Sequence, residues 1–207
     1  NTTFNQNTAA NGAAIFVTGS NVLTIDLSTF SKTSGDANIA AANGGGIYRD
    51  GGSAQISGTT FQYNQAGASG LGGAIFATNN ATVNIFASSV FTQNTAGQGA
   101  GIYNLNSTLT VTNSNFIANT AATNGGAVFN QNPGKTAALN GILVRGNSAA
   151  NGAGLYQADG SLEVTNISII SSNTASVNGG GVYQNGGSLN LDSVTLKNNA
   201  AVNGAGL

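Results

Sequence analysis

A glycine-rich phrase recurs eight times along the 207 residues, and nothing else constrains the fold as strongly. It reads NGAAIF from Asn11, NGGGIY from Asn43, LGGAIF from Leu71, QGAGIY from Gln98, NGGAVF from Asn124, NGAGLY from Asn151, NGGGVY from Asn178 and NGAGL from Asn203. Successive copies begin 32, 28, 27, 26, 27, 27 and 25 residues apart. A unit of about 27 residues therefore runs from end to end, and residues 1–207 read as a single repeat array. Periods of roughly 20–50 residues signal solenoids, propellers or arrays, in which each unit buries its apolar face against the next.

Each unit has the same internal order. After the phrase comes a polar turn, such as QADGS at Gln157–Ser161 or QNGGS at Gln184–Ser188. Then apolar and polar residues alternate: Leu23/Ile25, Val83/Ile85, Leu109/Val111, Leu162/Val164 and Leu189/Leu191. Period-two alternation over a few residues is the pattern of a short strand with one buried face. About five residues on stands one large apolar residue, in turn Phe4, Phe30, Phe61, Phe91, Phe116, Val144, Ile170 and Leu196. Three short strands and three corners per unit predict an all-β chain, a parallel β-helix of roughly seven to eight coils, each strand pairing with its equivalent one coil along at about 4.8 Å. A left-handed solenoid of hexapeptides closes its coil in about 18 residues, so the longer period favours a right-handed coil.

The columns follow from that stacking. Three residues beyond most of the large apolar positions lies asparagine: Asn7, Asn64, Asn94, Asn119, Asn147, Asn173 and Asn199. An amide both donates and accepts, so a stacked column of this kind is expected to bond up and down the rod as a structural ladder. Glycine in the repeated phrase suits a corner that needs φ > 0 or a close backbone approach. The residues after it, Ile15, Ile47, Ile75, Ile102, Val128, Leu155 and Val182, are expected to point inward. Their neighbours Phe16, Tyr48, Phe76, Tyr103, Phe129, Tyr156 and Tyr183 would then form an aromatic ladder on or near the outside, available for lateral or glycan contacts, unless a bend tucks both columns into the core.

The paired motifs carry a resemblance. FQYN at Phe61–Asn64, FTQN at Phe91–Asn94 and FIAN at Phe116–Asn119 alternate with GGAIF at Gly72–Phe76 and GGAVF at Gly125–Phe129. This combination resembles the polymorphic outer membrane protein repeats of bacterial surface proteins, along the whole chain. The resemblance implies a right-handed β-helix in a secreted passenger or adhesin-like stalk, at the cell surface or outside the cell. The pattern departs at FSKT (Phe30–Thr33), at VRGN (Val144–Asn147) and where Ile170 and Leu196 replace phenylalanine.

Chemistry is sparse. The chain has no histidine or cysteine, removing the commonest general base, metal ligand and thiol nucleophile. Its acids are Asp26, Asp36, Asp50, Asp159, Glu163 and Asp192. Asp26 and Asp192 share a column six coils apart, and Arg49 with Asp50 makes at most an exposed pair. A carboxylate-based lyase or hydrolase needs its acids together, so no catalytic, metal or cofactor site is expected. Five basic against six acidic residues exclude a nucleic-acid surface, and no apolar run is long enough for a membrane-spanning helix. Two stretches break the rhythm, Ser31–Ala41 and Asn130–Ala137, and both are expected as loops. The expected role is a non-catalytic structural or adhesive element, its coils continued at both ends by the same chain or by other copies, with a host or surface glycan or protein as a further partner. The competing reading is a carbohydrate-active β-helix enzyme or glycan-binding module whose active coils lie outside this segment.

Overall fold

The computed structural model describes residues 1–207 and is a parallel β-solenoid of about seven turns. A 3₁₀ turn at Ser34–Asp36 is the one helical element. The first face is a sheet of eight strands, from Thr3–Phe4 through Asn115–Ile117 to Thr195–Lys197, stacked in chain order. The second holds Thr95–Gln98, Thr120–Asn124, Ser148–Asn151 and Thr174–Asn178, and the pair Thr8–Ala9 and Ile39–Ala40 extends it through bridges at Gln65. The third face is bent and carries two strand segments per coil, as in Ile102–Leu105 and Thr108–Thr112. Every pairing is parallel, with equivalent residues opposite one another: Ile75 faces Ile102, Phe91 faces Phe116 and Ile85 faces Val111.

In-register stacking forces side chains of one kind into continuous columns, and the columns make the core. Phe4, Phe30, Phe61, Phe91 and Phe116 stack ring on ring with centroids 4.5–4.8 Å apart, close to the coil rise itself. Val144, Ile170 and Leu196 continue that column. It packs against the inward aliphatic column from Ile47 to Val182 and against Val83/Ile85, Leu109/Val111 and Leu162/Val164. The second face is lined by alanines instead, Ala66, Ala96, Ala121, Ala149 and Ala175, in a separate small cluster with Ala100 and Ala153.

The first glycine of each phrase makes the corner. At Gly125, φ is +67°, and a Cβ there would stand 2.7 Å from the Val128 carbonyl oxygen and 2.9 Å from the Phe129 Cβ. Left-handed backbone and a close approach coincide, and glycine alone accepts both.

Of the two irregular stretches, only one loops out. The coil that begins with Phe30 carries its extra residues around the 3₁₀ turn and rejoins the array at Asn38. The other expectation is corrected. Asn130–Ala137 lies inside a continuous strand, Val128–Asn140, which pairs along both segments with Leu155–Thr165. Register shifts between Asn130 and Thr136 absorb the added residues, and exposed Pro133 sits where no ladder donor is required.

Candidate functional site

The most connected feature of the molecule is an amide chain along its interior. The Asn119 side chain shows the unit. Its Oδ1 accepts from the Asn94 backbone N–H at 3.1 Å and from Asn94 Nδ2 at 2.9 Å. Its Nδ2 donates to the Phe91 carbonyl at 3.0 Å and to Asn147 Oδ1 at 3.0 Å. Both protons and both acceptor directions are used, so the amide is fully satisfied without water. The same contacts link Asn64, Asn94, Asn119, Asn147, Asn173 and Asn199 without a gap. Asn7 reaches Asn64 only through Asn38, which takes its Nδ2 at 2.8 Å and passes the chain on at 2.9 Å. Asn38 stands eight residues after Phe30 instead of three, so the motif spacing conceals it.

Two further polar columns run beside this amide chain. Ser28, Thr59, Ser89, Ser114 and Ser168 are buried two residues before the large apolar position, and each hydroxyl donates to a carbonyl two or three residues back. The Thr59, Ser89 and Ser168 oxygens also accept a backbone N–H from the coil before. A Ser/Thr-x-Phe spacing was visible as their signal. An outer amide ladder joins Gln98, Asn124, Asn151, Asn178 and Asn203, the first residue of each phrase, at 2.9–3.3 Å. Leu71 interrupts it, and there Asn43 Oδ1 accepts the Leu71 backbone N–H instead.

The aromatic column lies on the outer side, as one of the two expectations has it, but is largely covered. Its rings point away from the main core but stack on one another at 4.4–5.8 Å. Phe76, Tyr103, Phe129 and Tyr156 are buried, Tyr48 and Tyr183 are half-buried, and Phe16 alone is open, at 56%. Each ring root crosses the corner glycine four residues earlier, which has no side chain to hold it off, and Leu71, Leu105 and Ala158 close over the row. Neither strand alternation nor a core-directed bend anticipated this second cluster. Burial pushes the Tyr103 hydroxyl up to about 12, with Tyr156 adding a smaller electrostatic push. Desolvation also raises Tyr48 and Tyr156, aided by Asp50 and Tyr183 respectively.

Arg49 and Asp50 are likewise not an exposed pair. In the strand Ile47–Asp50, alternation turns Arg49 inward, where it is fully buried, while Asp50 faces out and accepts from Asn79 Nδ2 at 2.7 Å. The guanidinium donates to the Asn21 carbonyl and lies 3.5 Å from that of Gly19. Burial lowers its pKa, opposed by the Asp50 charge. The remaining carboxylates stay scattered: Asp159 accepts the Gly160 N–H of its own turn, and no three acids gather as a metal site.

The architecture defines a class, the parallel β-solenoid held by in-register amide, hydroxyl and aromatic columns. Within that class, three segments of the chain, residues 1–18, 58–78 and 88–105, match the Chlamydia polymorphic membrane protein (Chlamydia_PMP) repeat. Each segment spans one large-apolar-to-asparagine step or its neighbourhood and the glycine phrase beside it. The chain thus resembles a repeat of polymorphic outer membrane proteins. No curated protein and no solved structure matches it.

Proposed function

We propose that this chain is a rigid, non-catalytic rod displayed at a bacterial surface, serving as the stalk or adhesive shaft of a larger assembly. One observation carries the reading. The residues repeated most faithfully, the asparagine, phenylalanine and glycine columns, are consumed by contacts between coils, so the repetition serves stiffness and length. The repeat match supports a surface setting. On this reading, further coils, from the same chain or from a second copy, continue the ladders at either end, and contact with a host or surface glycan or protein supplies the adhesive role.

Antibody labelling of intact source cells tests the location. Label should bind without permeabilisation and disappear after brief external protease treatment. Label that appears only after permeabilisation would sink the proposal. Solution scattering tests the shape: seven strand spacings of about 4.8 Å give a shaft of about 34 Å for this segment, and a flexible-chain profile would contradict it.

A further inference from the structure

The chain has five cations, and two of them are already engaged: Arg49 is buried, and Lys135 donates across the surface to Asn80 Oδ1 and the Asn106 carbonyl. Two of the others come together. Arg145, Ser171 and Lys197 face one another in register on the outer side of the phenylalanine-bearing sheet, so the two cations sit two coils apart. They line an open groove of about 360 Å³ with Leu143, Ile169, Ser172 and Asn198. Gly146, next to Arg145, leaves open space where its row carries Ala118 and Ser172 in neighbouring coils. Both cationic side chains are exposed, and no acidic residue occurs in any of the eight strands of this sheet.

A positive groove that also presents Leu143 and Ile169 selects an anionic ligand with some apolar surface. Spacing narrows the class. Two coil steps separate the cations by about 9.6 Å, whereas an extended acidic peptide repeats same-face side chains about every 6.8 Å. A polysaccharide with an acidic group on alternate sugars spreads its charges further apart. Its ring faces can pack on Leu143 and Ile169, while the exposed Ser172 and Asn198 meet its hydroxyls.

We propose that this groove is a subsite for an acidic polysaccharide running along the rod axis, its carboxylates or sulfates paired with Arg145 and Lys197. It extends the surface-rod reading and stands on the groove alone, so failure to bind glycan leaves cell labelling and rod shape as separate questions. The test is calorimetric titration at low salt with a hyaluronan oligosaccharide, which bears a carboxylate on alternate sugars, a keratan sulfate oligosaccharide sulfated on its N-acetylglucosamines, and a polyglutamate peptide of matched charge. At least one of the two glycans should bind, and which one does distinguishes sulfate from carboxylate. Arg145→Gln and Lys197→Gln should each weaken that binding by about fivefold or more, while Lys32→Gln, on the looped-out coil, should leave it unchanged. Thermal melts should not move, because both side chains lie in solvent. Binding of neither glycan, equal binding of polyglutamate, or unchanged affinity in the two groove variants would each overturn the proposal.

Discussion

At the residue scale, stability rests on amides with no spare valence. Replacing Asn119 with alanine leaves the Asn94 backbone N–H without its acceptor, takes one of two acceptors from Asn94 Nδ2, and removes the donor to the Phe91 carbonyl and Asn147 Oδ1, all in a site closed to water. An orphaned buried polar group costs about 1–3 kcal/mol, so a loss of at least about 3 kcal/mol is expected in urea denaturation. The Asn119→Asp variant adds a sign. Its carboxylate would keep the acceptor but lose the donor and bury a charge, so its deficit against the parent should shrink as pH falls and the group takes up a proton. A deficit that does not change with pH would show that the column tolerates charge and is wetter than the structure has it. Gly125→Val is expected to fail at the corner, since even the first added carbon meets the Val128 carbonyl. Asn38 marks the limit of reading at this scale. Its role depends on where an inserted turn returns the chain, and motif spacing does not contain that information.

At the scale of the element, a column matters more than the identity of any member. Phe116 is fully buried between Phe91 and Val144, so Phe116→Ala should cost about 3–5 kcal/mol. Phe116→Leu should cost clearly less than Phe116→Ala, because less volume is lost and Val144, Ile170 and Leu196 already occupy equivalent positions. Similar losses for the two variants would argue that ring stacking, not apolar filling, holds this column. The aromatic column outside the main core makes a different prediction. Tyr103 is raised to about 12, so the folded state holds the hydroxyl proton more tightly than the unfolded chain does. Its stabilisation is full below the ordinary tyrosine value of about 10 and is lost as pH rises through the folded value. Ultraviolet titration should therefore show late-ionising tyrosines, Tyr48 and Tyr156 among them, with one fewer in Tyr103→Phe and that variant losing less stability between those values. The aliphatic column was legible from alternation. Burial of its aromatic neighbours was not, because it arises from the bare glycine corner beneath each ring and from the packing of Leu71, Leu105 and Ala158 against the stacked row.

For the whole molecule, the coil is the unit that can be added or removed. Excising residues 125–151 takes out one complete turn and brings Asn124 to Gly152, the Asn-Gly junction that six of the eight phrases make. That variant should fold, with parallel-sheet circular dichroism and a lower melting temperature, because neighbour contacts in a solenoid are roughly additive. Excising only 125–137 should abolish cooperative melting, since every column beyond the cut would lose its register. Comparable folding of the two deletions would count against in-register stacking as the source of stability. The sequence alone determined the period, the columns that pack inward and the asparagine ladder, because in-register stacking repeats the same local chemistry every coil and local chemistry is written in the residues. Only the tertiary structure decided which way Arg49 turns, that Asn130–Ala137 extends a strand, that Asn38 completes the ladder and that Arg145 and Lys197 share a groove. Each of those depends on how one coil sits on the next where the period changes or where distant coils face a common surface. A side chain's surroundings there are set by residues about 27 or 52 positions away, and no local pattern carries that distance.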